Sequence, residues 1–224
     1  MEKEKFLSIV SQFDIPGTVV DIKPLGNGLI NDTFKVTTQE NNCPDYVLQH
    51  INNAIFTDVD MLMHNIVAVT THIRKKLEEK GETDINRKVL NFRPAKQSGK
   101  YYFCDENGKY WRIMDFIPDA VTKSEVTPAF GNFQAMLSDL PEKLGETIPN
   151  FHNMEFRLQQ LHDAVKADRV GRLAAVRDIV EAIETDAEEM CKGERLFREG
   201  LLPKRICHCD TKVDNLLFEK DGSV

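Results

Sequence analysis

The chain has 224 residues, 29 Lys and Arg against 36 Asp and Glu, a net charge of −7, and 41% hydrophobic residues. That balance excludes a disordered or low-complexity chain, and the acidic charge speaks against a basic face for nucleic acid. No stretch approaches the roughly 20 apolar residues that span a bilayer. The start, Met1-Glu2-Lys3-Glu4-Lys5, reads as no signal peptide, and five cysteines, an odd number, point to a reducing cytoplasm rather than a disulfide scaffold.

The first predicted element is a short amphipathic helix with Phe6, Ile9, Val10 and Phe13 on one face, ended by Pro16-Gly17. Strand-like segments follow at 19–25, 33–37, 46–51, 89–93, 100–104 and 110–117, rich in β-branched and aromatic residues. Their short spacers predict antiparallel hairpins. One long helix interrupts them. Asp58 can cap it and Gly81 can end it; Val59, Leu62, Met63, Ile66, Val67, Ile73 and Leu77 form its apolar stripe.

Beyond Pro118 the pattern turns helical. Thr127-Pro128 reads as a cap with proline at the first helical position, followed by Phe130, Phe133, Leu137 and Leu140 at helical spacing. Leu158, Leu161 and Val165 mark a helix over 153–167. Leu173, Val176, Val180, Ile183, Ala187 and Met190 mark another over 172–190. Residues 205–218 read as strand, polar loop, strand. The expected fold class is therefore α+β: a sheet lobe over 1–117 with one long helix inserted, then a helical lobe over 118–224.

Three stretches carry chemistry. In His208-Cys209-Asp210-Thr211-Lys212-Val213-Asp214-Asn215 the pattern H-x-D-x-K-x-x-N has the spacing of a kinase catalytic loop. Asp210 would orient the proton of an acceptor hydroxyl, and Lys212 would neutralise the transferring phosphoryl group. Asn215 would turn back to hold magnesium, and His208 would pack beneath the loop. The second stretch is the glycine turn Gly26-Asn27-Gly28-Leu29-Ile30-Asn31, where exposed amides could face nucleotide phosphates. Asn31 stands where G-x-G-x-x-G would place its third glycine, and an ordinary hairpin turn fits this stretch as well. The third is the strand Trp111-Arg112-Ile113-Met114-Asp115-Phe116-Ile117. In a kinase it would offer backbone to an adenine edge at Asp115 and Ile117, with Met114 backing the pocket. A plain buried strand is the alternative.

On these residues the chain resembles the aminoglycoside phosphotransferase and choline kinase group of the protein-kinase-like fold. Within that group four stretches look most like the bacterial N-acetylhexosamine 1-kinases. They are Gly28-Leu29-Ile30-Asn31-Asp32-Thr33-Phe34, Leu48-Gln49-His50-Ile51-Asn52, Glu146-Thr147-Ile148-Pro149-Asn150-Phe151-His152-Asn153 and His208-Cys209-Asp210-Thr211-Lys212. The resemblance implies a two-lobed kinase-like fold, ATP and Mg2+, and a small-molecule acceptor, an amino sugar phosphorylated at its anomeric hydroxyl. It also implies no nucleic-acid or membrane partner. Aminoglycoside, choline and homoserine stay open as acceptors.

Two departures from the group's pattern stand out. Gln49 occupies the place of the lysine in V-A-I-K, and no acidic residue occurs from Met61 to Leu77, so the usual Lys–Glu pair is absent; His64 or Asn65 occupies the expected region. The group also continues past the loop to a strand carrying a second metal-binding Asp, which would lie beyond Val224. The resemblance thus implies a chain cut short at its carboxyl end and inactive by itself, and a non-catalytic nucleotide-binding scaffold is the rival reading. Cys207-His208-Cys209 is a poor zinc site with only one C-x-C, and its thiols are expected to be buried beside the loop. Asn153 is expected to cap a helix together with His152, and His162 to be solvated on a helix face.

Overall fold

The computed structural model describes residues 2–26, 30–121, 129–212 and 215–220. A helix α1 (Glu2–Val10) precedes three strands, β1 (Val19–Pro24), β2 (Asp32–Thr38) and β3 (Tyr46–Ile51). The long helix α2 (Val59–Glu79) and the single turn α3 (Ile85–Lys88) come next, then β4 (Phe103–Cys104) and β5 (Tyr110–Asp115). The remainder is helical: α4 (Ala129–Met136), α5 (Met154–Ala167), a 3-10 turn (Leu173–Ala175), α6 (Arg177–Met190) and α7 (Lys192–Arg198).

The five strands form one antiparallel sheet in the order β1-β2-β3-β5-β4. β3 is the middle strand and both of its faces are covered. Tyr46 and Leu48 point to one side. There they pack with Val36, Trp111 and Ile113, with Ile9 and Val10 of α1, and with Phe13 just beyond it. Phe6 of α1 adds a ring 4.4 Å from Phe34. Ile51 points to the other side, where Val59, Leu62 and Met63 of α2 join Phe92 and Met114. Alternation with period two allows one short strand to serve two cores. Trimming Leu48 to alanine would leave a cavity in the first core and cost about 2–5 kcal/mol.

The long helix matches its expected ends. Asp58 accepts from the Met61 amide at 2.8 Å, an N-cap, and Gly81 follows the helix at φ 71°. A left-handed residue there suits glycine and closes the helix through Gly81 N–H to Glu78 C=O. Two further ties anchor α2. Asn65 clasps the Gly145 backbone, its Nδ2 donating to the carbonyl at 2.7 Å and its Oδ1 accepting from the amide at 3.1 Å. His72 and Lys76 both reach the Asp139 carboxylate.

Several expected elements are altered. The strand expected at 89–93 is a single bridge, Phe92 to Met114, because α3 and Pro94 leave only Arg93 N–H to Ile113 C=O and Asp115 N–H to Asn91 C=O. The strand expected at 100–104 shrinks to its last two residues. The strand pair expected at 205–218 is reduced to one bridge between Val121 and Phe218, and no strand precedes the loop. Phe218 is buried there, and Glu219 beside it takes a bidentate pair from Arg87. The helix expected at 172–190 breaks after the 3-10 turn. The Thr127-Pro128 cap lies outside the described residues.

The chain divides into two compact units, Met1–Ile148 with Asp210–Val224, and Pro149–Cys209. The second unit is all helical. Asn153 caps α5 by accepting from the Phe156 amide at 2.9 Å, as expected. His162 of α5 is exposed and meets Glu184 of α6 at 2.7 Å, and Arg198 of α7 pairs with Glu155 through both oxygens. None of residues 149–209 is buried, so the apolar stripes of α5 and α6 are only partly covered.

Lys76, then His72, holds the Asp139 carboxyl down at about 2, below its ordinary 3.8. A carboxylate with a lowered folded pKa stabilises the fold above the unfolded value and loses that contribution as pH falls through the folded value. Asp139→Asn should therefore melt below the unaltered protein at pH 7, and the gap should close between pH 4 and pH 2. Thermal melts across that range check it, and a gap independent of pH would contradict it.

Candidate active site

The expected site residues fall in three places. The first is the turn between β1 and β2. The ladder continues into it through Leu25 N–H to Thr33 C=O at 2.8 Å, and Gly26 takes φ 72° with nothing within 4 Å of where a Cβ would stand. Asn27 and Gly28 lie outside the described residues. Asn31 uses its side-chain oxygen to accept from the Asn52 amide at 3.0 Å, which ties the far side of the turn to the end of β3. A glycine in that place could not make the tie, which is a structural reason for Asn31.

Gln49 lies in the same neighbourhood. It pairs in register with Thr33 on β2 and Arg112 on β5. The side chains repeat that register: Gln49 Nε2 donates to Thr33 Oγ1 at 3.1 Å, and Arg112 Nε donates to Gln49 Oε1 at 3.0 Å. Arg112 reaches Met63 of α2 with Nη1 at 3.8 Å from the sulfur and lies over the Phe92 ring at 5.6 Å. Its side chain is only half-buried by surface, yet desolvation lowers its pKa to about 10, so it stays a cation at neutral pH. Asn65, a candidate for the place of the missing acidic residue on α2, is committed to Gly145 instead.

The second place is β5 and its exit. Met114 is buried in the second core. The Asp115 carboxylate turns the other way, into a bidentate pair with Arg93 at 2.8 and 2.9 Å plus a bond from Asn91 at 2.8 Å. Its amide donates to Asn91 C=O, and the Phe116 amide to Asp45 C=O. Among the described residues, nothing pairs with the Ile117 amide. β5 is thus a buried strand as far as Asp115, and the chain leaves the ladder after it. Arg93 is the partner that the sequence pattern does not show, since it comes from a segment 22 residues upstream.

The third place is the loop. Within the second unit Cys209 has φ 64°, an uncommon conformation for a non-glycine residue. His152 steadies it by donating from Nε2 to the Cys209 carbonyl at 3.0 Å, an acceptor-only group, rather than sharing the cap with Asn153. His208 is exposed, not packed beneath the loop as expected. Cys207 and Cys209 are exposed too, their sulfurs 3.3 Å apart, which corrects the expectation of buried thiols; the segment forms no strand or helix that would pack them. Within the first unit Asn215 Nδ2 donates to the Asp210 carbonyl at 2.8 Å, and Lys212 Nζ stands 3.5 Å from the Asp210 carboxylate. The i and i+5 residues of the motif thus close on one another. Among the described residues nothing bonds Asn215 Oδ1, and no group of three or more His, Cys, Asp or Glu is arranged to hold a metal ion.

A model of the phosphotransferase enzyme family, APH, matches residues 21–224. The chain belongs to this family. The match takes in the turn, β5 and the loop, and the mixed architecture with its antiparallel sheet is compatible with a kinase-like fold. Membership makes the protein a phosphotransferase of the kinase type acting on a small molecule. No described helix is long and apolar enough to cross a membrane.

Asp115 is held as half of a mostly buried ion pair, so its carboxylate is structural for this phosphotransferase. Asp115→Ala should lower stability by about 3–5 kcal/mol, the usual cost of leaving a buried partner charge unpaired. Replacing Arg93 by Met as well should recover much of the loss. Denaturant melts of the single and double variants test this; equal losses in both would show that the pair is not coupled.

Proposed function

We propose that this phosphotransferase uses ATP and magnesium to phosphorylate the anomeric hydroxyl of an N-acetylhexosamine. The carrying observation is the loop closure, in which Asn215 bonds the Asp210 carbonyl and Lys212 lies beside the Asp210 carboxylate. It supports the roles the motif suggests. Asp210 orients the acceptor hydroxyl and takes up its proton, while Lys212 offsets charge on the transferring group. His208 completes the motif on the chain just before Asp210.

Magnesium commonly takes one or two carboxylates, with water and substrate phosphate filling its other positions. The Asn215 side-chain oxygen fits one position of such a set, and a bound ion would neutralise charge on the phosphates. For the nucleotide, the turn from Gly26 through Asn27 and Gly28 to Asn31 would cover the phosphates, near Gln49. Met114 and the backbone at Asp115 and Ile117 would line the adenine end; the Ile117 amide, which has no partner among the described residues, favours this. In this reading 1–117 works as the nucleotide lobe and 118–224 as a helical lobe with the loop. The sugar assignment rests on the four stretches quoted above.

A second reading, a nucleotide-binding scaffold without catalysis, is favoured by one observation, Gln49 in place of a lysine. Titration calorimetry with magnesium and a non-hydrolysable ATP analogue separates the readings from their shared premise: no binding at millimolar nucleotide overturns both. Incubation with ATP and a panel of N-acetylhexosamines, aminoglycosides, choline and homoserine then identifies the acceptor. Asp210→Asn should lower kcat about 100-fold or more while nucleotide affinity holds, the usual scale for a positioned acid–base group. Normal turnover in that variant would remove Asp210 from the mechanism.

A further inference from the structure

Arg112 is a cation that no carboxylate of the described residues compensates. Its Nε bonds Gln49 and its Nη1 reaches only the Met63 sulfur, a weak acceptor. Among the described residues no carboxylate interacts with it; desolvation alone acts on its charge. A second half-buried cation against this sheet is treated quite differently. Arg93, on the opposite face, is held by both oxygens of Asp115. A half-buried guanidinium that meets an amide oxygen, a sulfur and a ring, with no carboxylate among the described residues, is well placed to receive an anion that arrives from outside.

The surroundings say where that anion would sit. Arg112, Gln49 and Thr33 form a row across β5, β3 and β2, and Thr33 in turn donates to the Asn31 carbonyl at 3.4 Å. The row therefore runs from the half-buried cation toward the turn. The Gln49 amide accepts from Arg112 at its oxygen and gives one N–H to Thr33, which leaves it a second N–H. A cation behind the carbonyl polarises the amide and strengthens its N–H groups as donors. No acidic residue from Met61 to Leu77 of α2 is present to neutralise the pair.

We propose that Arg112 and Gln49 together form the phosphate-binding cation of this protein. Arg112 supplies the charge, and the polarised Gln49 amide donates to an oxygen of the nucleotide polyphosphate. Two residues on neighbouring strands thus do what one lysine does elsewhere. This rests on the kinase reading above, and it removes the reason for taking Gln49 as a sign of lost activity.

The test is titration calorimetry of the full chain with magnesium-ATP, ADP and adenosine, paired with thermal melts. Arg112→Met should weaken ATP binding about 10- to 100-fold, the range for losing a charge-assisted contact, and leave adenosine binding unchanged. Its melting temperature should equal or exceed that of the unaltered protein, because an unpaired charge has been replaced by an apolar chain of similar length. Adding Gln49→Lys to Arg112→Met should restore ATP affinity to within about threefold, with a lysine in its usual kinase position. An unchanged ratio of ATP to adenosine affinity in Arg112→Met would overturn the proposal while leaving the kinase reading intact. So would a variant that melts well below the unaltered protein or fails to fold, which would make Arg112 structural. If the unaltered protein binds neither ATP nor adenosine, the kinase reading falls and this proposal falls with it.

Discussion

The register of β3 between β2 and β5 is the constraint on which the rest of this structure depends. A strand in the middle of a sheet has no free backbone edge, and here it has no free face either. Tyr46 and Leu48 go to one core, and Val47 and Ile51 go to the other, against α2. A slip of one residue would exchange these sets and bring Gln49 into the core of α1 and Trp111. The same register sets Gln49 opposite both Thr33 and Arg112. Packing and polar chemistry are thus decided by one alignment.

Two arginines illustrate how the fold spends charge. Arg93 and Arg112 both lie against the sheet, on opposite faces. The first meets Asp115 and Asn91 with full bidentate geometry, which closes the exit of β5 against the segment before it. The second meets a neutral amide, a sulfur and an aromatic ring. The first arrangement satisfies a charge and fixes a position. The second leaves its guanidinium without a carboxylate among the described residues, on the strand next to Gln49.

The loop after residue 203 shows a different economy. It lacks the flanking strands that would hold it in a ladder, so it is steadied by single contacts. In the second unit His152 donates to the Cys209 carbonyl, and in the first Asn215 returns to the Asp210 carbonyl. Beyond it, Phe218 and Glu219 anchor the chain through Val121 and Arg87.

Much was legible in the order of residues because it depends on local physics. The ends of α2 follow from an Asp that can cap and a Gly that can turn left-handed, and Asn153 caps α5 for the same reason. The span of β3 follows from its composition and bounding turns. The spacing of His208, Asp210, Lys212 and Asn215 is a property of the chain alone, as is the absence of a lysine at position 49. What the order of residues could not decide is who meets whom across long separations. Asp115 looks like a pocket residue until Arg93 is seen beside it. Asn65 looks like a stand-in for an acidic residue until Gly145, 80 residues away, claims both ends of its amide. The strand expected before the loop is absent because β pairing needs a neighbour at the right register, and composition only makes a segment eligible for one. Arg112 reads in sequence as one charge in an apolar strand. Only the tertiary structure, by placing Gln49, Met63 and Phe92 around it and no carboxylate of the described residues, shows how differently its charge is treated from that of Arg93.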